Sequence, residues 1–367
     1  MIEVKHVLGI SGGKDSAALA IYLKNKYPQL AIDYYYCETD KELDETYTLI
    51  NNLEGYLGKK IKTLKAATET HEAQFDHFLK LYGGYLPSSN ARWCTRKMKL
   101  EPFEIHVGST PTLSYVGIRG DEDREGYVSH KENIQSIFPF RKNIWSEEII
   151  TKTLMNKNLS LLEDICLTVL PSRLKDGIIR AIKEPISFQY DQLRKLNDLL
   201  TISIAGFNKI VFEFLKTTDY PISHLEDYPL LENEDVLVRS DIFKILEENG
   251  VGVPKYYNKI EFEVDGEKGY YSRSRSGCFF CFFQQKIEWI WLYETHRNLF
   301  EQAMEYEKEG YTWMQDERLE DIIKPERVKQ IKEDQLKKAA RNSNSKSPYL
   351  LDILQEAEGE GCAACFI

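Results

Sequence analysis

Six consecutive residues, Ser11-Gly12-Gly13-Lys14-Asp15-Ser16, bring together two glycines, a lysine, an acid and two hydroxyls. Paired glycines let the backbone curl until several amide N–H groups point at one anion. Lys14 adds a mobile positive charge, and Ser11 and Ser16 add hydroxyls. The chemistry this set suits is phosphate binding. Its spacing is not that of the Walker loop, which needs four residues between its first glycine and its Gly-Lys pair. A second set is sulfur: Cys278 and Cys281, and at the end of the chain Cys362 and Cys365, each pair with two residues between. In a reducing compartment such pairs point to metal or redox chemistry ahead of structural disulfides. A third set is cationic. Arg92, Arg96, Lys97, Arg119 and Arg124 can neutralise a polyphosphate, with guanidinium groups binding paired oxygens in a fork. Surface ion pairing with the many nearby acids is the competing reading of the same residues.

These side chains need elements to hold them. Apolar runs at 7–10, 32–37, 61–64 and 113–118 alternate with helical periodicity at 17–27, 44–56 and 72–82. Repeated strand–helix units predict an α/β fold with a doubly wound, mainly parallel sheet. Ligands of such a sheet sit beyond the carboxyl ends of its strands. The glycine loop falls at the end of the first strand, where the next helix adds the positive end of its dipole. From 145 to 238 the chain turns leucine-rich and mainly helical, without a basic block, and reads as an insertion. Residues 241–249 form a further helix, stopped by Gly250 and Pro254. Residues 285–307 predict one amphipathic helix, whose stripe of Trp289, Leu292, Tyr293, His296, Phe300 and Met304 suits core packing. The expected organisation is a nucleotide-binding core (1–144), a helical insertion (145–238), a cysteine-containing segment that completes the core (239–330) and a flexible connector with the CxxC tail (331–367).

Composition narrows the partners. A chain of 367 residues with 42% hydrophobic content can bury a full core. Its formal charge of -10 opposes unaided binding to nucleic acid, so a DNA or RNA substrate would be presented by a basic partner subunit. No basic-then-apolar leader opens the chain, and no apolar stretch reaches the roughly 20 residues of a membrane span. A cytoplasmic location without membrane contact is expected. The seven histidines form no HxxH or HxH pair, which disfavours zinc held by histidine. Homo-oligomers remain open.

The loop resembles the SGGxDS loop of the ATP-pyrophosphatase (PP-loop) superfamily, whose members split ATP between its α and β phosphates. The run 37–46 is similar to the DTGxExPET stretch of the phosphoadenosine phosphosulfate (PAPS) reductase family, with Glu38 in place of the usual Asp and Asp44 in place of Pro. Arg92-Trp93-Cys94-Thr95-Arg96-Lys97 with Pro102 resembles that family's cysteine-containing segment. Gly117-Ile118-Arg119-Gly120-Asp121-Glu122-Asp123-Arg124 resembles its anion-binding element. The resemblance spans 5–125 and resumes over 241–281; the insertion has no counterpart in the simple reductases.

That resemblance implies a nucleotide site of Ser11, Gly12, Gly13, Lys14, Asp15, Ser16, Glu38, Thr39, Arg96, Lys97, Arg119 and Arg124, taking ATP with Mg2+. The intact lysine of the loop favours ATP over PAPS. Lys14, Asp15 and Arg119 are the expected catalytic residues there. It also implies that Cys94 joins Cys278 and Cys281 as ligands of a [4Fe–4S] cluster, with zinc as the alternative. Relatives with a cluster carry a Cys-Cys pair where this chain has Trp93-Cys94, so three thiolates leave one iron open. For zinc, Cys37, Cys362 or Cys365 could complete the set. Cys166, in an apolar run, reads as a buried residue. The ECG(I/L)H tail of the simple reductases is missing. Cys362 and Cys365 are left to accept a persulfide, resolve a disulfide, bind metal or do nothing special. The implied activity is ATP-dependent sulfur transfer, similar to that of the PAPS-reductase-like subunit of DNA phosphorothioation and phage-defence systems, beside a cysteine desulfurase or other sulfur donor. A phosphosulfate reductase and a non-catalytic nucleotide-sensing subunit are the alternatives.

Overall fold

Five short apolar runs pair into one parallel sheet. The computed structural model describes residues 2–122, 129 and 131–344, with side chains as far as 340. Strands β1 (Lys5–Gly9), β2 (Ile32–Cys37), β3 (Lys62–Leu64), β4 (Thr112–Tyr115) and β5 (Ile134–Ile137) lie in the order β3-β2-β1-β4-β5. All four pairings are parallel, with Leu8 of β1 level with Tyr34 and Tyr115. Alternation along the strands sends Leu8, Tyr34, Tyr36, Leu113 and Tyr115 to one face and Val7, Tyr35 and Cys37 to the other. Helices cover both faces, so the strands read as continuous apolar runs. α1 (Lys14–Lys26) and α2 (Asp44–Leu57) pack on the first face. Phe103 and Val107, from a helical run over 93–107, close the second. The doubly wound α/β fold is as expected from the sequence.

The sequence reading passes over β5, whose Ile-Gln-Ser-Ile is too short and too polar to stand out. Its pairing with β4 and a bond from the Ile222 amide to Gln135 Oε1 (3.1 Å) make it a buried strand. The chain moves outward from β1 to β3 and returns to β4 on the other side of β1. This reversal opens a crevice at the carboxyl ends of β1 and β4, where residues 11–16 lie.

The insertion is helical, as expected: Glu147–Leu154, Leu159–Val169, Ser172–Lys183, Gln192–Ile202 and Ile204–Leu215. It shares one apolar core with the sheet, and Trp145 donates its indole N–H to Asn208 Oδ1 (3.0 Å) within it. The fully buried Lys195 donates to the carbonyls of Ile182 and Glu184, both at 2.6 Å, placing a cation at the carboxyl end of Ser172–Lys183. Cys166 is buried in this core, and burial pushes its thiol up to about 12.

Beyond it, the helix Arg239–Glu248 packs on α1, and β6 (Ile260–Val264) and β7 (Glu267–Tyr271) form a hairpin. Two expectations change here. The single helix over 285–307 is two, Lys286–Thr295 and Arg297–Glu305, broken at His296, whose φ and ψ of -137° and 62° are not helical. The connector expected from 331 is helical as far as the structure describes it, within Pro325–Asn344. That helix is mostly charged but packs a narrow apolar stripe, the buried Ile331 with Val328 and Leu336, on the aromatic core, and ion pairs flank it, Arg327 to Glu317 at 2.5 Å and Lys332 to Glu294 at 2.7 Å. Among the described residues, no helix is long and apolar enough to cross a membrane.

Candidate active site

The glycine loop joins β1 to α1. Gly12 takes φ +74°, and a Cβ there would lie 2.2 Å from Thr46 Cγ2 of α2, so the turn needs a glycine on both counts. Hydroxyls close the loop from inside. Ser16 Oγ accepts from the Ser11 amide (3.1 Å), and Ser11 Oγ accepts from the Gly13 amide (3.4 Å). No side chain caps α1. The amides of its first turn and the positive end of its dipole are therefore available to an anion.

The charged residues are more tightly engaged than the sequence implied. Lys14 is buried: its ammonium sits 2.9 Å from Asp15 Oδ2 and 5.1 Å from the centre of the Tyr257 ring. Burial alone would raise the Asp15 carboxyl, but Lys14 and Arg119 outweigh it and hold the group at about 2. Arg119, expected to face a ligand anion, is 2% exposed and meets three carboxylates of this chain, Asp15 and Asp121 at 2.9 Å and Glu122 at 2.7 Å. Arg96 and Lys97 do not turn to the loop. Arg96 donates to the Tyr82 hydroxyl (3.2 Å), and Lys97 pairs with Glu101 (2.7 Å). Arg124 lies outside the described residues.

Glu38 and Thr39, expected near a ribose or adenine, are also turned inward. Glu38 Oε1 accepts from the amides of Thr39 (3.0 Å) and Asp40 (2.8 Å) and from the Tyr47 hydroxyl (2.9 Å). The Thr39 hydroxyl donates to Glu42 Oε1 (3.1 Å) and accepts from Cys278 Sγ (3.3 Å). Thr39 therefore belongs to the cysteine side of the site.

Cys94, Cys278 and Cys281 come from segments about 180 residues apart and line one cavity of about 40 Å3, with Thr39, Met98 and Lys99 among its other walls. Cys94 enters from the helical run 93–107, whose π-turn at Arg96–Leu100 widens the coil just after it. Cys278 and Cys281 bracket Phe279 and Phe280, which anchor the turn. Phe280 lies 4.4 Å from the Phe75 ring and 4.9 Å from the Trp313 ring, and the Phe279 amide donates to Lys41 O (2.9 Å). Each such buried aromatic contributes on the order of 2–3 kcal/mol, enough to hold the turn in place. Burial, with the Glu42 carboxyl adding to it, raises the Cys278 thiol well above its ordinary range. Cys37 is not part of this group. It lies on the other face of the sheet, donates to Lys99 O (3.5 Å), and burial pushes it up to about 12. Among the described residues, no three His, Cys, Asp or Glu side chains come close enough to hold a single metal ion. Cys362 and Cys365 lie outside the described residues.

Residues 5–159 match the family model of the phosphoadenosine phosphosulfate reductase domain. This segment resembles a PAPS reductase domain. It covers less than half of the chain and contains the glycine loop, Arg119 and Cys94. No curated protein matches the chain significantly.

Several residues that wall the site lie outside the matched segment; the resemblance over 241–281 takes in Tyr256 within a Pro-x-Tyr-Tyr stretch, while Ser276 and Arg273 were not singled out from the sequence. Ser276 stands against the loop: a Cβ on Gly13 would be 2.6 Å from its Oγ. Tyr256 donates its hydroxyl to Gly12 O (3.0 Å), and the Arg273 amide donates to Tyr256 O (2.9 Å). Arg273 is 1% exposed, and its guanidinium donates to the carbonyls of Gly277 (3.4 Å) and Cys278 (3.1 Å). The alternating run Ser272-Arg273-Ser274-Arg275-Ser276, separated from the first cysteine of the pair by Gly277 alone, was the available signal.

Proposed function

We propose that this protein is an ATP-dependent sulfurtransferase that adenylates an acceptor with release of pyrophosphate and then inserts sulfur, in nucleic-acid modification or phage defence. The observation that carries this reading is the chain of contacts from the glycine loop to the cysteine turn, Gly12 to Tyr256 to Arg273 to Cys278, with Ser276 packed on Gly13. A phosphate cradle and a sulfur-lined cavity sharing one polar wall suit a reaction that first activates an oxygen and then replaces it with sulfur.

In this reading the first-turn amides of α1 and the Ser11 and Ser16 hydroxyls bind the phosphates of ATP. Lys14 leaves Asp15 to meet the negative charge that builds on the departing pyrophosphate, and Arg119 holds Asp15 in place. The acceptor oxygen attacks the α-phosphorus, its bond to pyrophosphate breaks, and the acceptor carries AMP. Sulfide then forms the new bond and AMP leaves with the acceptor's former oxygen. Three thiols lining one apolar cavity suit a [4Fe–4S] cluster, which when bound would supply an iron able to hold sulfide. Cys94, Cys278 and Cys281 would hold it, and a cysteine desulfurase or other donor supplies sulfur as a persulfide, which a thiol reductant cleaves to sulfide by giving two electrons. Mg2+ accompanies ATP.

Anaerobic purification followed by assay of iron, acid-labile sulfide and zinc tests the cofactor. About four irons and four sulfides per chain, lost in Cys278→Ser, are expected; zinc without sulfide ends the cluster reading. Pyrophosphate release from ATP, lost in Lys14→Ala, tests the activation step. The family match favours one second reading, a phosphosulfate reductase. Sulfite release from PAPS without use of ATP would establish that reading instead.

A further inference from the structure

The mouth of the cysteine cavity carries a feature that neither the nucleotide nor the cluster uses. Phe283 lines that cavity and is partly buried, and two guanidinium groups lie over its ring, Arg92 at 5.0 Å and Arg275 at 5.8 Å from the centroid. The pattern continues along the segment that carries Cys94. Trp93 donates to Tyr85 O (2.9 Å) and stacks on Tyr82, whose hydroxyl accepts from Arg96. Tyr85 and Tyr311, 43% and 40% exposed, meet edge to face at 5.2 Å. On the next face of the same helical run, Lys97 lines an open groove of about 480 Å3 with Lys62, Lys65 and His106. A chain with a formal charge of -10 thus places two guanidinium groups at the cavity mouth and a pair of exposed tyrosines against the segment that carries Cys94, with a separate groove on the same helical run where Lys97 pairs with Glu101.

We infer that this rim binds single-stranded nucleic acid and presents it to the sulfur-lined cavity. Arginines beside the partly covered Phe283 ring and the exposed rings of Tyr85 and Tyr311 match a polyanion whose flat bases are free to stack, because phosphates draw the guanidinium groups and bases take the rings. A duplex hides its base faces and an acidic polypeptide has none, so neither uses both halves of the pattern. The inference rests on the sulfurtransferase reading only in making this strand the sulfur acceptor; the binding itself is independent of it. It also revises the expectation that a basic partner must supply the whole contact.

The test is fluorescence anisotropy of the intact chain with a labelled single-stranded oligothymidylate, without ATP, across a range of salt. Binding should weaken about tenfold in Phe283→Leu and in Tyr311→Leu. Arg92→Ala should flatten the slope of log affinity against log salt by about 0.7, the share of one phosphate contact. Unchanged melting temperatures show that the variants are folded; should Phe283→Leu fail to fold, the surface variant Tyr311→Leu carries the test. No binding, binding indifferent to these variants, or equal binding of duplex or polyglutamate overturns the inference. Pyrophosphate release without oligonucleotide binding would sink the inference alone. Rim-dependent binding without ATP cleavage would sink the sulfurtransferase reading and leave the nucleic-acid site standing.

Discussion

Arg119 is the residue whose role changes most between sequence and structure. Its position in a motif that resembles an anion-binding element was legible, but three carboxylates, two of them buried, now surround it, and removing the guanidinium would leave them facing one another. Arg119→Met should therefore cost stability first, about 3–5 kcal/mol in urea unfolding, ahead of any direct effect on phosphate binding. Full stability in that variant would return Arg119 to a ligand-facing role. Gly12 behaves in the opposite way, because its demand is local. Gly12→Ala meets both a positive φ and the Thr46 methyl, and should lower stability by about 1–3 kcal/mol while abolishing ATP binding measured by calorimetry. The glycines could be read from the sequence because their reason is the backbone itself. The engagement of Lys14 with Asp15 and Tyr257 could not, since Tyr257 arrives from 243 residues further on.

At the scale of elements, the turn Gly277–Cys281 is held from two sides. Phe279 and Phe280 sink into an aromatic core, and Arg273 grips the carbonyls of Gly277 and Cys278. Arg273→Met should release those carbonyls and loosen the turn. The expected result is faster alkylation of Cys278 by iodoacetamide in metal-free protein, with Arg273→Lys intermediate; equal rates in all three proteins would show that the aromatic anchors suffice. The strands and most helices were legible because their periodicity is a property of each segment alone. The helix Pro325–Asn344 was not: it is mostly charged with a narrow apolar stripe, and the ion pairs that flank it come from elements 10 to 64 residues earlier in the chain, Glu317, Glu294 and Asp265. The split of 285–307 at His296 is likewise tertiary. Trp289 and Phe300, on either side, are both buried in one cluster, and the bend lets both reach it.

For the whole molecule, acid stability follows from the paired carboxylates. Asp15 is held at about 2 mainly by Lys14 and Arg119 against its burial, and Glu317 at about 2 by Arg327 and then Lys286. Both are depressed, so their contribution is complete above their unfolded values near pH 4 and disappears as pH falls toward 2. Relief of the -10 charge acts the other way on mild acidification. The urea midpoint should hold or rise slightly down to about pH 5 and then drop steeply below about pH 4; a midpoint flat to pH 2 would mean these pairs add nothing to folding. By itself the sequence determined the parallel α/β sheet, the glycine loop at the end of its first strand and the Cys278–Cys281 pair, because glycine pairs, strand–helix periodicity and thiol spacing act over a few residues; Cys94 was singled out only through the family resemblance. The meeting of Cys94 with the distant pair was already implied by that resemblance. Only the tertiary structure decided that Arg119 neutralises its own chain, that Ser276, Tyr256 and Arg273 wall the site, and that Arg92 and Arg275 lie over Phe283. Those contacts join residues far apart in the chain, and packing, which selects such partners, leaves no local signature.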